Sequence, residues 1–170
     1  MGKDKLKASP PSPLLGGEGG GMLVAEEGAS LLSGSMRLYY LLPSHPRRGA
    51  GGEAIGCVDL YNYDPVNKRA AVGIMVATEY RRQGYALAML QKLEELFSVQ
   101  CATQDSGSQL NTEHSTLNTG IHCLYADIAA ANTASLALFK KAGYVQCGHF
   151  KEWLEYDSHF IDNIRMQKIL

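Results

Sequence analysis

The sequence predicts an α/β domain with a mixed sheet. Three observations support this class. β-prone runs that end at a proline or a turn fill residues 36–77, apolar residues take a helical spacing after Gly84, and strand-like runs return on both sides of a second, short helix. The predicted order is β-β-β-α-β-α-β-β. The 170 residues, 45% of them hydrophobic, are enough for one domain with a core.

Three strands precede the first helix. The first is β-prone and ends at Pro43, and the second ends at a turn that begins with Asp64-Pro65. The third alternates, with its branched apolar residues on one face, and is predicted to form a hairpin with the second. Their predicted ranges are residues 36–42, 54–63 and 70–77.

Two helices are predicted, separated by a strand and followed by two more. In the first, which starts after Gly84, the apolar residues 86, 89, 90, 93, 96 and 97 form one stripe. In the second, Asn132 suits the N-cap and Gly143 the C-cap, while Lys140 and Lys141 in the last turn complement the helix dipole. The remaining strands are predicted at residues 121–128, 144–153 and 160–169.

Two segments have a biased composition. Residues 1–56 hold 12 of the 18 glycines and five of the six prolines, so residues 1–33 are predicted to be a low-complexity, poorly structured N-terminal segment. Between Gln100 and Gly120, 12 of 21 residues are Ser, Thr, Asn or Gln, which predicts a polar surface loop. The folded domain is therefore expected over residues 34–170, with the loop inserted at 100–120.

Charge and cysteine usage exclude several classes of protein. The 16 basic and 17 acidic residues give a net charge of -1, so no nucleic-acid partner is expected, and no apolar run approaches the roughly 20 residues that span a membrane. The four cysteines form no C-x-x-C pair and are predicted to be reduced thiols in a cytoplasmic protein. The five histidines share no ligand spacing, so no metal is expected.

The passage from the third strand into the first helix carries the chemistry. Backbone N–H groups at a helix start are unpaired and favour an anion. In this passage Gly84 allows close approach of a ligand, Ala86 leaves the next turn uncrowded, and Arg81 and Arg82 add positive charge. These features fit a pyrophosphate cradle, although a solvated turn of the same composition is the commoner case.

Two motifs together resemble the GNAT N-acetyltransferase superfamily over about residues 36–170. The first is Arg81-Arg-Gln-Gly-Tyr-Ala86 after a strand, and the second is Asn132-x-x-Ser135 opening a helix that ends Phe139-Lys-Lys-Ala-Gly-Tyr144. Further stretches are similar to the spermidine acetyltransferase and RimJ/RimL-like branch. They are Asp59-Leu-Tyr, Asp64-Pro-Val-Asn-Lys-Arg-Ala-Ala-Val-Gly-Ile74, Trp153 and Asn163-x-Arg165-Met166.

The resemblance implies a GNAT-like fold, with a mixed, mostly antiparallel sheet, flanking helices and a shortened or irregular N-terminal part. It also implies acetyl-CoA as co-substrate. The backbone of Ile74, Met75 and Val76 would then contact the pantetheine arm. The pyrophosphate would lie on the loop, and the second helix would contact the far side of the cofactor; the residues implied are Arg81, Arg82, Gln83, Gly84, Tyr85 and Ala86 in the loop, and Asn132, Ser135 and Phe139 in the helix.

The implied reaction is direct attack of a neutral amine on the thioester, followed by protonation of the leaving thiolate. Many relatives carry a tyrosine for that proton where this sequence has Phe139. Tyr144 or solvent could serve instead, or the thiolate leaves without a dedicated acid. Asp59, which alternation alone places towards solvent, could attract the amine or take its proton.

The first part of the fold departs from the resemblance. Relatives wall the acceptor site with a first strand and one or two helices, whereas here that region is rich in glycine and proline. The acceptor wall is therefore expected to be shortened, replaced or supplied by another chain, and a missing first strand would leave a sheet edge that favours a homodimer.

Three functions are compatible with these features. The leading one is an acetyl-CoA-dependent N-acetyltransferase acting on a small amine, a polyamine or a protein amino group. The second is a CoA-binding module of the same fold without turnover, which Phe139 and the altered N-terminal part favour. The third is a structural or interaction domain that shares only the architecture.

Overall fold

A computed structural model of the chain describes residues 21–25, 31, 34–42, 53–102 and 120–170. Within these ranges it has seven strands and two α-helices, so the predicted α/β class is confirmed. In chain order the elements are β1 (Met22–Ala25), β2 (Ser35–Leu42), β3 (Glu53–Asp64), β4 (Arg69–Val76), α1 (Tyr85–Ala102), β5 (Cys123–Ala129), α2 (Thr133–Lys141), β6 (Val145–Tyr156) and β7 (His159–Ile169).

The strands form one sheet in the order β1-β2-β3-β4-β5-β7-β6. All neighbours are antiparallel except β4 and β5, which confirms the mixed, mostly antiparallel sheet. The predicted turn between β3 and β4 forms because the Asp64 carboxylate accepts hydrogen bonds from the backbone N–H groups of Val66, at 3.1 Å, and Asn67, at 2.9 Å.

Strand β1 corrects the prediction for the N-terminal segment. It pairs with β2 antiparallel, Leu23 opposite Tyr40, and the side chains of Leu23 and Val24 are fully buried. The folded unit therefore extends to at least Gly21 and does not begin at residue 34. Since β1 covers the edge of β2, the open edge expected there from a missing first strand does not exist. Within residues 1–33, the structure describes only 21–25 and 31.

Both helices pack on the same face of the sheet. The predicted apolar stripe of α1 is confirmed: five of its members are buried in the core, namely Met89, Leu90, Leu93, Leu96 and Phe97. Helix α1 continues to Ala102, three residues into the predicted polar loop, and residues 103–119 of that loop lie outside the described part of the chain. Helix α2 is capped by Asn132 as predicted, whereas its C-cap is Ala142 and the predicted Gly143 is the next residue, at φ +90°.

The two parallel strands separate soon after they meet. Strand β4 pairs with β5 through three residues only, from Arg69 opposite Cys123 to Ala71 opposite Tyr125. Beyond that point the second half of β4 has β3 as its described neighbour on one side and a gap on the other. The first turns of α1 and α2 both begin beside this gap, because each is the next α-helix along the chain after one of the two strands; a short 3-10 turn, Thr78–Tyr80, lies between β4 and α1.

Candidate functional site

A groove of about 800 Å³ lies where β4 and β5 separate. The end of β4, the loop after it, the first turn of α1 and one face of α2 form its walls. Ten of the twelve residues that the resemblance implied for the cofactor line it, although they come from two distant stretches of sequence. They are Ile74, Met75, Val76, Arg81, Arg82, Gly84, Tyr85, Ala86, Asn132 and Ser135.

The end of β4 presents backbone groups to the groove. Ala77 N–H donates to the carbonyl of Ile55 on β3 at 2.9 Å. Backbone groups of successive residues in a strand point to opposite sides, so those of Ile74 and Val76 point away from β3 and towards the gap. The carbonyl of Val76 already accepts a hydrogen bond from Arg81 Nε at 3.0 Å. Ile74 therefore offers both an N–H and a carbonyl to a ligand that lies in the gap.

The start of α1 presents unpaired donors to the same groove. The Gly84 carbonyl accepts the first bond of the helix, from Ala88 N–H at 3.1 Å, so the N–H groups between these residues have no helical acceptor. Gly84 has no side chain to cap them. Its φ is +89°, and a Cβ atom there would meet nothing within 4 Å, so this position opens directly onto the groove. The geometry suits an anion bound by backbone N–H groups.

Two predicted cofactor residues lie outside the lining. Gln83 turns back on its own loop, where its Nε2 donates to the carbonyl of Glu79 at 3.0 Å. Phe139 is buried, 2% exposed, with its ring edge-on to Tyr144 at 4.9 Å between centroids. The helical spacing that gives α2 its buried side points Phe139 into the core, so the structure argues against a contact between its side chain and the cofactor.

Tyr144 is equally buried and does not line the groove. Burial, with a smaller contribution from the Glu94 carboxylate, raises the pKa of the Tyr144 hydroxyl well above its ordinary value. That hydroxyl has no hydrogen-bond partner within the described residues. A proton donor must reach the reacting sulfur, so this burial weakens the case for Tyr144 as the acid, and its catalytic role stays a prediction.

Asp59 lies on the sheet face opposite the helices, because its neighbours Val58 and Leu60 fill the core. Its carboxylate accepts two hydrogen bonds from Arg37, from Nε at 2.6 Å and from Nη2 at 3.0 Å. It is not among the residues that line the groove. A catalytic role for Asp59 stays a prediction, and the ion pair with Arg37 weakens any role as a base.

Sequence reasoning missed six residues that line the groove: Thr78, Tyr80, Leu87, Ala134, Leu138 and Lys141. Three of them could have been found from helical spacing. Ala134, Leu138 and Lys141 fall on the same face of α2 as Ser135, at intervals of three and four residues. Thr78 and Tyr80 lie in the short turn that leads to the loop, where no periodicity identifies the inward side.

The described residues include no group of three or more His, Cys, Asp or Glu side chains arranged to hold a metal ion. Among the helices in the described ranges, none is both long and apolar enough to cross a membrane.

Comparison with known proteins identifies the family and agrees with the fold. The family model for the acetyltransferase (GNAT) domain matches residues 28–145. That match covers more than half of the chain, so the chain belongs to the GNAT acetyltransferase family. It is an acetyl-CoA-dependent N-acetyltransferase by class, which moves an acetyl group from acetyl-CoA to an amine. No curated protein sequence matches it significantly.

Several solved structures share the fold. Spermidine N-acetyltransferase from Vibrio cholerae, in complex with CoA and spermine, aligns with a TM-score of 0.58 at 20% identity, over 80% of this chain and 66% of that one. A chimera of the Vibrio cholerae enzyme SpeG and hSSAT gives 0.59 at 20% identity, over 80% and 67%. A dodecameric structure of the Vibrio cholerae enzyme gives 0.58 at 20% identity, over 80% and 65%. This chain thus spans about two thirds of the length of those proteins.

Proposed function

We propose that the groove binds acetyl-CoA and that the acceptor is a primary amine, either a small amine or polyamine or a protein amino group. The observation that carries the proposal is the convergence of the end of β4, the uncapped start of α1 and the first turn of α2 on one groove. The strand supplies backbone groups to the groove, the start of α1 supplies unpaired N–H donors, and α2 supplies the amide of Asn132. The groove also contains arginines and a lysine but no acidic residue among the described residues that line it.

The cofactor would be held at two places. The pyrophosphate would accept hydrogen bonds from the N–H groups at the start of α1, where Gly84 leaves room for it, with Arg82 adding charge. The pantetheine arm would lie along Ile74, whose N–H and carbonyl match the amide groups of that arm. Asn132 would contact it from the other side with its amide Nδ2, because its Oδ1 accepts the Ser135 N–H.

The acceptor would approach from the face opposite the helices. Met75 lines the groove, yet its side chain lies on that opposite face of the sheet and is 58% exposed. The gap beside β4 therefore opens to the opposite face at Met75. Asp59 lies on the same face, on the neighbouring strand, opposite Gly73. We assign Asp59 the role of attracting and orienting the amine rather than deprotonating it, because Arg37 donates two hydrogen bonds to its carboxylate.

Catalysis would rest on positioning and on polarisation of the thioester carbonyl by the backbone of β4. The amine must arrive neutral, attack the carbonyl carbon and lose its proton as the carbon–sulfur bond breaks. Tyr144 and Phe139 are both buried, so solvent in the open groove would supply the proton to sulfur. A thiol has a pKa of about 8.5, so its thiolate leaves readily near neutral pH without a strong acid.

Calorimetry with acetyl-CoA, followed by a CoA-release assay across a panel of amines, tests this function. We expect saturable binding of acetyl-CoA and amine-dependent release of CoA. The panel should contain a polyamine, a small monoamine and a peptide with a free amino group. Binding without release for every amine would instead support the CoA-binding module without turnover, which the buried Phe139 and Tyr144 favour. No binding would contradict both.

Two finer assignments belong to the same proposal. We place the protein in the cytoplasm, because Cys57, Cys123 and Cys147 are free thiols.

We also propose a homodimer, but the sheet edge that supports it is β6, an outer strand of the described sheet. On β6, Val145 is 61% exposed and Trp153 is 61% exposed. Light scattering on the purified chain tests the dimer, and a monomeric mass at all concentrations would contradict it.

A further inference from the structure

Helix α2 presents a continuous face to the groove that ends in a cation. Ser135, Leu138 and Lys141 follow one another at intervals of three residues, and all three line the groove. At 1.5 Å per residue, Lys141 lies roughly 13 Å along the helix from Asn132. The groove therefore has a positive charge at the end of α2 that is distant from the gap between β4 and β5.

Lys141 has no carboxylate to neutralise it. Within the described residues it forms no ion pair, and the lining of the groove contains no Asp or Glu. The adjacent Lys140 is also exposed, but it does not line the groove. An apolar wall of Leu87 and Leu138 lies in the same groove. A cation in an acid-free groove is available for an anionic group of the ligand.

The chemistry of the ligand supplies such a group. CoA carries a pyrophosphate and, on its ribose, a separate 3′-phosphate monoester with up to two negative charges. The N–H groups at the start of α1 account for the pyrophosphate. The monoester is then free for a different partner, and a lysine ammonium binds phosphate as a point charge without demanding a fixed geometry.

We propose that Lys141 binds the 3′-phosphate of CoA, so that the groove distinguishes CoA from 3′-dephospho-CoA. This inference rests on the proposed acetyl-CoA site and adds a specificity-determining residue to it. The alternative role for Lys141 is a purely structural one, in which its charge complements the negative end of the helix dipole. Lys140 lies in the same last turn and shares that structural role, but it does not line the groove. A Lys140 variant therefore shows the effect of the helix dipole alone.

The test compares affinities of the full chain for CoA and for 3′-dephospho-CoA by calorimetry. The unchanged chain should bind CoA about tenfold more tightly, the scale of one charge-assisted hydrogen bond. Lys141→Ala should bring the two affinities together by weakening only CoA binding, and Lys140→Ala should keep the tenfold ratio. The ratio should also shrink as salt is raised, since the contact is exposed.

Three results would overturn the inference. Equal affinities of the unchanged chain for the two nucleotides would overturn it while leaving the acetyl-CoA site intact. A tenfold ratio that survives in Lys141→Ala would assign the 3′-phosphate to another residue. Failure of the unchanged chain to bind either nucleotide would overturn the acetyl-CoA site itself and this inference with it. The melting temperatures of Lys141→Ala and Lys140→Ala measure any loss of stability that comes from the helix dipole. This loss should be equal in the two variants.

Discussion

The side-chain Oδ1 of Asn132 accepts a hydrogen bond from the backbone N–H of Ser135 at 3.1 Å, and both residues line the groove. One side chain therefore starts helix α2 and faces the proposed cofactor site. The cap fixes the orientation of the amide, because its oxygen must point at the helix and its Nδ2 must point elsewhere. Stability and binding are thus coupled at Asn132, and suitable substitutions separate them.

We predict that Asn132→Ala lowers the free energy of unfolding by about 1 kcal/mol, because the N-cap is lost. Asn132→Ser should preserve stability, since a serine hydroxyl also caps a helix, but it should weaken acetyl-CoA binding because the amide donor is gone. Chemical denaturation and calorimetry on both variants check this. If Asn132→Ser bound acetyl-CoA as well as the unchanged chain does, Asn132 would be a cap and nothing more.

Substitutions at Gly84 distinguish the effect of backbone strain from the effect on ligand binding. Its φ of +89° is unfavourable for residues with a side chain, and a Cβ atom there would extend into open space in the groove. We predict that Gly84→Ala costs about 1 kcal/mol of stability and that Gly84→Val abolishes acetyl-CoA binding, because the side chain occupies the place of the pyrophosphate.

Gly34 is the matched control for this prediction. Its φ is +101°, a Cβ atom there would also meet nothing within 4 Å, and it is not part of the groove lining. Gly34→Val should therefore impose similar backbone strain without affecting acetyl-CoA binding. Equal losses of binding in the two valine variants would show that strain rather than blockage is responsible, which would remove the cradle assignment.

The sequence predicts the strands and helices that the structure describes between residues 36 and 99 and between residues 121 and 169, because local signals determine them. Asp64 makes its turn within three residues, and Asn132 caps its helix through the third residue after it. The spacing of apolar residues in α1 identifies its buried stripe without any tertiary information. The loop beside Gly84 was found in the same way, since a strand, a glycine and a helix start are all local features.

The misses have the opposite cause. Strand β1 lies in a glycine-rich segment, and its described contacts come from distant parts of the sequence, namely the pairing with β2 and the burial of Leu23 in the core. The burial of Tyr144 could not be read from the sequence either, because the direction of its side chain depends on how α2 packs on the sheet. Lys141 looked like a helix-dipole residue, and only the proximity of α2 to the loop after β4 places it in the groove.

We predict that Tyr144→Phe keeps catalytic turnover and raises stability by about 1 kcal/mol near neutral pH. The reason is that it removes a buried hydroxyl without a described partner and retains the ring that packs on Phe139. Unfolding curves and a CoA-release assay check both parts. A large loss of turnover with unchanged acetyl-CoA affinity would instead restore Tyr144 as the proton donor.

The same substitution tests a pH dependence. The folded pKa of Tyr144 is raised above its ordinary value of 10.0, so the unfolded chain loses this proton first as pH rises. Titration of Tyr144 therefore leaves the free energy of unfolding unchanged below pH 10 and lowers it as the pH rises from there towards the folded pKa. The unfolding free energy of the unchanged chain should fall more steeply above pH 10 than that of Tyr144→Phe. Parallel curves would show that Tyr144 titrates normally.

Lys168, on β7, connects the last strand to both helices. Its Nζ donates to Glu94 Oε2 on α1 and to the carbonyl of Ala142 at the end of α2, both at 2.7 Å. The Lys168 side chain is 26% exposed and that of Glu94 only 14% exposed, so the pair is largely shielded from solvent. Such a pair costs most when one partner alone is removed.

We predict that Lys168→Met destabilises the fold by about 2 kcal/mol, because it removes the ammonium that pairs with the shielded carboxylate of Glu94 and donates to the Ala142 carbonyl. Adding Glu94→Gln to Lys168→Met should recover part of that loss, because a neutral amide costs less than a carboxylate in a shielded site. Denaturant unfolding of the two single variants and the double variant gives the coupling energy. Additive losses would mean that Lys168 acts chiefly through the Ala142 carbonyl, and Glu94→Gln alone should then leave stability nearly unchanged.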